Sequence, residues 1–149
     1  MADPTAYIFS KFPLNLMKGK FGDLSSADVT VKCLLMTSSA SVSQENWETL
    51  TDVNNDTHEV SGDGYDAGGA EATTKAATEA TKVTTFDADD VTWTSSTITA
   101  RYSILYLSTG TAGTSYLIGY ADFGADKSSS SGDFTVKWDA SGILTLTVP

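Results

Sequence analysis

The sequence contains a single cysteine, Cys33, and a single histidine, His58. One cysteine excludes an intramolecular disulfide and any metal site that needs several thiolates. Cys33 lies in the apolar stretch 29–36, so we expect a small, buried core residue. His58 lies in a turn-rich segment, where a surface or interface histidine is far more common than a general base. With no nucleophile elbow, phosphate loop or zinc motif, the sequence does not predict an enzyme.

Long apolar runs and positive charge are also scarce. No apolar stretch is long enough to span a membrane, and residues 1–20 lack the apolar core and cleavage pattern of a signal peptide. Nine basic residues stand against 19 acidic ones, for a formal net charge of −10. Such a charge repels a phosphate backbone. We therefore expect a protein that is made in the cytoplasm and binds neither membranes nor nucleic acid.

Threonine and serine are abundant, with 22 and 18 residues, and this composition favours strands over helices. Alternation of apolar and polar residues predicts strands over 98–107 and 116–123, joined as an antiparallel hairpin. The same pattern over 134–138 and 144–148 predicts a second hairpin. Short strands with turn signals every roughly 8 to 12 residues predict a mainly β fold, an antiparallel β-sandwich or jelly-roll-like barrel.

The other elements are predicted from weaker patterns. Segment 43–50 has a serine cap, acidic residues in its first turn and Trp47 and Leu50 at helical spacing, which predicts a short helix. Segment 70–82 contains both alanine and threonine, and we predict a strand, a turn near Glu79 and a second strand through residues 83–86. Shorter strands are expected at 59–61 and 91–93, separated by glycine-rich turns.

The first 22 residues differ from the rest of the chain. They carry three lysines against one aspartate, so residues 23–149 hold a net charge of −12. Pro13 interrupts a continuous helix, and we predict a helical turn before Pro13 and an extended piece after it. We predict that residues 1–22 form a docking arm and residues 23–149 a β-sandwich body.

Two interpretations of this arm are open, since it could dock on an acidic neighbouring surface or fold back on its own body. Large apolar side chains so close to a terminus must be covered by one or the other. The predicted partner-binding residues are the apolar and lysine side chains of the arm: Tyr7, Phe9, Lys11, Phe12, Leu14, Leu16, Met17, Lys18, Lys20 and Phe21.

Two acidic clusters, at 87–90 and at 52–66, have the oxygen ligands that calcium prefers, but neither has the spacing of a helix-loop-helix calcium site. Asp and Asn are common in turns because they bond to the local backbone, so we predict no metal or other cofactor. Trp138 alternates with core residues and Trp93 follows a valine at the start of a strand, so packing in the core is a better explanation for both than a carbohydrate platform.

Four segments together carry a resemblance: EVSGDGYDAGG (59–69), FDADDVTWTSSTITARYSILY (86–106), LIGYADFG (117–124) and SSSSGDFTVKWDASGILTLT (128–147). Their ordered run, over roughly residues 28–149, resembles a family of small structural proteins of tailed-bacteriophage virions. The resemblance implies a protein that decorates or cements the capsid, has the major capsid protein as partner, and forms a homo-oligomer, with a trimer favoured. It implies no catalytic residue.

Two alternatives to a place on the capsid surface of the virion are open. One is a structural subunit of the neck or tail. The other is a host-facing carbohydrate-binding module that uses exposed tryptophan or tyrosine side chains.

Overall fold

A computed structural model describes residues 5–149, in which β-strands dominate; the first four residues of the predicted arm lie outside this range. These described residues contain ten strands, two α-helices and one 3₁₀ turn at Ala112–Thr114. The strands are β1 Thr5–Ile8, β2 Thr30–Met36, β3 Ala70–Glu71, β4 Ala76–Ala80, β5 Val83–Asp87, β6 Val91–Ser96, β7 Thr99–Ser108, β8 Leu117–Ser128, β9 Gly132–Val136 and β10 Leu144–Thr147, and the helices are α1 Phe12–Met17 and α2 Leu50–Asp56.

The strands form three antiparallel sheets. A five-stranded sheet has the order β1-β8-β7-β2-β3, a three-stranded sheet the order β10-β5-β4, and β6 pairs with β9 in a two-stranded sheet. The predicted fold class, a mainly β, antiparallel and sandwich-like architecture, is confirmed.

Both faces of the five-stranded sheet are apolar. Along β2, Val31, Cys33 and Leu35 point to one face, whereas Leu34 and Met36 point to the other, as the period of two in a strand requires. The first face packs against residues of the two smaller sheets, and the second is covered by the segment that leads into α2 and by α2 itself. Cys33 is fully buried, as predicted.

The predicted hairpin of β7 and β8 is confirmed, but the second predicted hairpin is wrong. β9 pairs with β6, and β10 pairs with β5. The turn between β9 and β10 explains the difference, because the Asp139 carboxylate accepts hydrogen bonds from the backbone N–H and the hydroxyl of Ser141. The N–H of Ile143 then bonds to the carbonyl of Phe86 at 2.9 Å, which directs the chain into the other sheet.

The helix predicted over 43–50 is also wrong, since α2 begins at Leu50. Thr49 and Asp52 form a reciprocal capping box there: the Thr49 side chain accepts from the N–H of residue 52, and the Asp52 carboxylate accepts from the N–H of Thr49. Residues 54–56 are the last residues of the helix. The helix ends where Thr57 adopts a left-handed conformation, with φ of 62°.

The stretch at 70–82 folds only in part as predicted, since Glu79, where the turn was expected, lies within β4. It contains β3 and β4, and the turn at 81–82 joins β4 to β5. The predicted strand at 91–93 lies within β6, whereas segment 59–61 forms only an isolated bridge between Glu59 and Met36.

A candidate protein-binding surface

The N-terminal arm lies against the body of its own chain. β1 pairs with β8 at one edge of the five-stranded sheet, so the packing of the chain has no boundary at residue 22. Phe9, Phe12 and Phe21 are buried, and the rings of Phe12 and Phe21 meet edge to face with centroids 5.0 Å apart. In the described structure the arm folds back on the body of its own chain, which is the second of the two interpretations of the arm. In this conformation these three phenylalanines contact the core and are not available to a partner.

The arm also has the opposite order of elements from the predicted one. The extended piece, β1, comes before Pro13, and the helix α1 contains Pro13 in its first turn. A proline is tolerated there because the first N–H groups of a helix have no partner within the helix, and its fixed φ already suits the helix.

α1 has a buried side and an exposed side. Phe12 and Asn15, three residues apart, face the body, and the side-chain amide of Asn15 donates to Glu48 Oε1 at 3.0 Å. The helix ends with two backbone bonds, from the N–H of Gly19 to Leu16 and from the N–H of Lys20 to Asn15. This pair of bonds is a Schellman motif, and it fixes the direction of the chain after the helix.

The exposed side of α1 is apolar and basic. Met17 is 87% exposed and Leu14 49%. We call the following residues the α1 surface: Lys11, Leu14, Leu16, Met17, Lys18 and Lys20. Tyr7, the remaining predicted partner-binding residue, lies instead on β1, where its ring stacks on Tyr120 with centroids 4.9 Å apart.

The lysines of the α1 surface make no ion pair within the part of the chain that the structure describes. Lys20 Nζ lies over the ring of Tyr116, 5.9 Å from its centroid, a cation–π contact. A basic, apolar surface on a protein with a net charge of −10 is suited to contact with an acidic neighbour.

The acidic residues of the two predicted clusters contact the chain's own turns. Asp89 accepts hydrogen bonds from the hydroxyls of Thr73 and Thr74, and Asp90 accepts one from the backbone N–H of Trp138. Between residues 5 and 149 no three His, Cys, Asp or Glu side chains lie close enough together to hold a metal ion.

The tryptophans pack against the protein. Trp47 and Trp93 are buried, as predicted for Trp93. Trp138 is half-buried against the core, and its indole N–H donates to the carbonyl of Asp89 at 2.9 Å. The carbohydrate-binding alternative therefore lacks an exposed tryptophan platform.

A second surface, which the sequence patterns do not indicate, is a groove of about 990 Å³ between the β1 edge of the five-stranded sheet and the chain from β9 to β10. Apolar side chains dominate its walls. The strongest sign of this groove in the sequence is the alternation of leucine and valine along β10. The sequence pattern predicts this strand correctly but places it in the wrong hairpin. The apolar residues that line the groove include Ile8, Phe123, Phe134, Trp138 and Leu144.

The sequence matches no protein-family model, no curated protein and no solved structure at a significant level. These comparisons add no support to the resemblance to phage virion proteins. None of the helices in the described residues is both long and apolar enough to cross a membrane.

Proposed function

We propose that this chain is a structural protein of a tailed-phage virion that decorates or cements the capsid, and that it binds the major capsid protein through the α1 surface. The virion assignment comes from the sequence resemblance. The observation that carries the binding site is the exposure of Leu14, Leu16 and Met17 beside three lysines on an otherwise acidic protein.

The α1 surface can supply useful binding energy. At about 25 cal/mol per Å² of apolar area removed from water, burial of its three apolar side chains contributes on the order of several kcal/mol before the entropy of association is subtracted. The lysines add attraction to an acidic partner and speed the encounter. Repetition of the contact over a symmetric shell multiplies the effect on particle stability.

A binding role without catalysis also agrees with the buried polar groups. Every buried side-chain nitrogen and oxygen in the described residues has a hydrogen-bond partner. Burial raises the pKa of Tyr65 and of the Cys33 thiol, so both stay protonated near neutral pH. The groups with the largest shifts therefore belong to the core.

Point substitutions test this proposal better than removal of the arm. A deletion of residues 2–22 would also remove β1 and the three buried phenylalanines, and would destabilise the body. We expect Met17→Asp, alone and with Leu14→Asp, to abolish co-sedimentation of the full chain with shells of the major capsid protein. Thr78→Asp, which adds the same charge at an exposed position of β4, is the control and should bind as the wild type does. Unchanged binding by the double variant would contradict the proposal.

Copy number in the virion separates the capsid from the neck or tail. Quantitative mass spectrometry of purified particles should find on the order of hundreds of copies for a decoration protein, as the many equivalent sites of a shell require. About a dozen copies or fewer would assign the chain to the neck or tail instead.

A further inference from the structure

β10 carries an apolar ridge that runs from the core into solvent. Alternation places Leu144, Leu146 and Val148 on one face, and Leu144 pairs with the buried Phe86. Beyond Leu144, Leu146 is 66% exposed and Val148 57%. Leu144 also lines the groove, and Ile8, on the opposite wall, is 42% exposed. The ridge and the groove therefore form one continuous apolar surface.

The charges around this surface are balanced, unlike those of the whole chain. Lys127 and Lys137 line the groove together with Asp133 and Asp139, two charges of each sign. Two copies of a chain with a net charge of −10 repel each other over most of their surfaces. A patch that carries both positive and negative charges is complementary to itself across a two-fold axis. There, residue i of one copy meets residue j of the other, and residue j of the first copy meets residue i of the second.

β10 also has an open edge. Within residues 5–149 it pairs with β5 alone, and it is the outer strand of its sheet. Exposed edges of natural sheets are usually protected from further pairing by lysine, proline or a bulge. From Leu144 to Thr147, β10 has none of these. An identical strand from a second copy can pair with it antiparallel about a two-fold axis, which would join two three-stranded sheets into one of six strands.

We infer that the β10 edge and the adjoining groove are a self-association interface, and that its occupant is the same surface of a second copy of this chain. The interface buries Leu146 and Val148 of both copies and sets lysines of one copy against aspartates of the other. It is separate from the α1 surface, which is left exposed in the dimer for another partner.

Measurement of molar mass tests this inference on the full chain. By light scattering after size-exclusion chromatography, and by sedimentation equilibrium, we expect a species of twice the chain mass. Leu146→Arg and Val148→Arg should raise the dimer dissociation constant by about tenfold or more, because each places a charge in a desolvated apolar contact on both copies. Both side chains are exposed in one copy, so far-UV circular dichroism and the thermal midpoint at low concentration should stay unchanged.

The matched control is Met17→Arg, the same substitution at an exposed residue outside the interface. It should leave the dimer intact, and Met17→Asp should abolish binding to capsid shells without affecting the dimer, so failure of the proposed function and failure of this inference are separable. A charge test adds a second readout: Lys137→Glu should weaken the dimer, and Asp133→Lys in the same chain should restore it by restoring the balance of charge.

Three results would overturn the inference. One is a chain that stays monomeric at about 0.1 mM, where interfaces of micromolar affinity are filled. Another is a trimer, the state that the resemblance favours, because a trimer excludes a two-fold pairing of β10. The third is a dimer whose dissociation constant does not respond to Leu146→Arg.

Discussion

The hydroxyl of Tyr65 connects the glycine-rich loop 62–69 to β2, and its removal should destabilise the fold. β3 pairs with β2 only as far as Cys33, and beyond it segment 58–60 meets the same edge, where the N–H of Val60 donates to the carbonyl of Leu35 at 2.9 Å. The backbone N–H of Leu35 donates to the Tyr65 hydroxyl at 2.9 Å, and the hydroxyl donates to Glu59 Oε1 at 2.8 Å. The hydroxyl therefore satisfies the backbone N–H of Leu35, in the gap between β3 and segment 58–60.

Tyr65→Phe leaves the two partners of the hydroxyl in different situations. Leu35 is fully buried, and an unsatisfied N–H there costs about 1–3 kcal/mol. Glu59 is half-buried and keeps the hydrogen bond that it accepts from the N–H of Gly68 at 2.6 Å. Loss of the bond from Tyr65 therefore lowers the free energy of unfolding only by the net contribution of one hydrogen bond, about 0.5–1.5 kcal/mol. We expect the free energy of unfolding to fall by about 2–4 kcal/mol, and the thermal midpoint by roughly 5–15 °C.

Urea denaturation followed by tryptophan fluorescence measures this change, and the slope with denaturant should stay constant while the midpoint falls. Tyr7→Phe is the control, since Tyr7 is exposed on β1 and the substitution keeps the ring that stacks on Tyr120; it should change stability by less than about 0.5 kcal/mol. An equally small effect of Tyr65→Phe would refute the bridging role of the hydroxyl.

Three further predictions concern the core. A methyl group at Gly69, where φ is 71°, would overlap the carbonyl of Cys33, so Gly69→Ala should lower the free energy of unfolding by more than about 4 kcal/mol, as measured by thermal unfolding. The control is Gly110→Ala, at φ of 81° with open space around it, which should lower it by about 1 kcal/mol. The Cys33 thiol is fully buried and burial raises its pKa, so it should react with a thiol reagent only as fast as the chain unfolds; rapid labelling of the native protein would contradict this. Burial raises the pKa of Tyr106 from 10.0 to about 12. Because the unfolded chain loses this proton first, Tyr106 should lower stability by on the order of 3 kcal/mol as pH rises from about 10 to about 12, and Tyr106→Phe should remove that share from a pH titration of the urea midpoint while Tyr65 and Cys33 keep theirs.

Local patterns in the sequence predicted the elements whose partners are close along the chain. β7 and β8 are long, adjacent in the sequence and joined by one loop, so their pairing follows from their order. The partners of β9 and β10 lie far back in the sequence, where Val136 pairs with Val91 and Leu144 with Phe86. No local signal specifies such pairings, because they depend on how the turn at Asp139 directs the chain in space.

The composition of the α1 surface was visible in the sequence, but its geometry was not. A helix exposes one side, and which residues lie on that side depends on where the helix begins. With Pro13 taken as a helix breaker, burial of Phe12 and exposure of Met17 could not be assigned. With Pro13 in the first turn, Phe12 and Asn15 fall on one side of the helix, and Leu14 and Met17 fall outside it.

The two proposed surfaces are held in a fixed relation by the short segment between them. Phe9 is fully buried, its N–H bonds to Ile118 at 3.1 Å, and its carbonyl accepts the N–H of Phe12 at 2.9 Å. Ile8 of the groove and the start of α1 are therefore positioned by the same core contacts. A dimer through β10 then presents two α1 surfaces at a set spacing, and a repeating shell can engage both. The contact made by the second α1 surface is then intramolecular. If the spacing of the two α1 surfaces matches that of their sites on the shell, affinity for the shell rises by about 10²-fold or more, although neither surface gains a contact. Leu146→Arg should thus weaken shell binding through lost bivalency alone, and a covalently linked pair of Leu146→Arg chains should recover it.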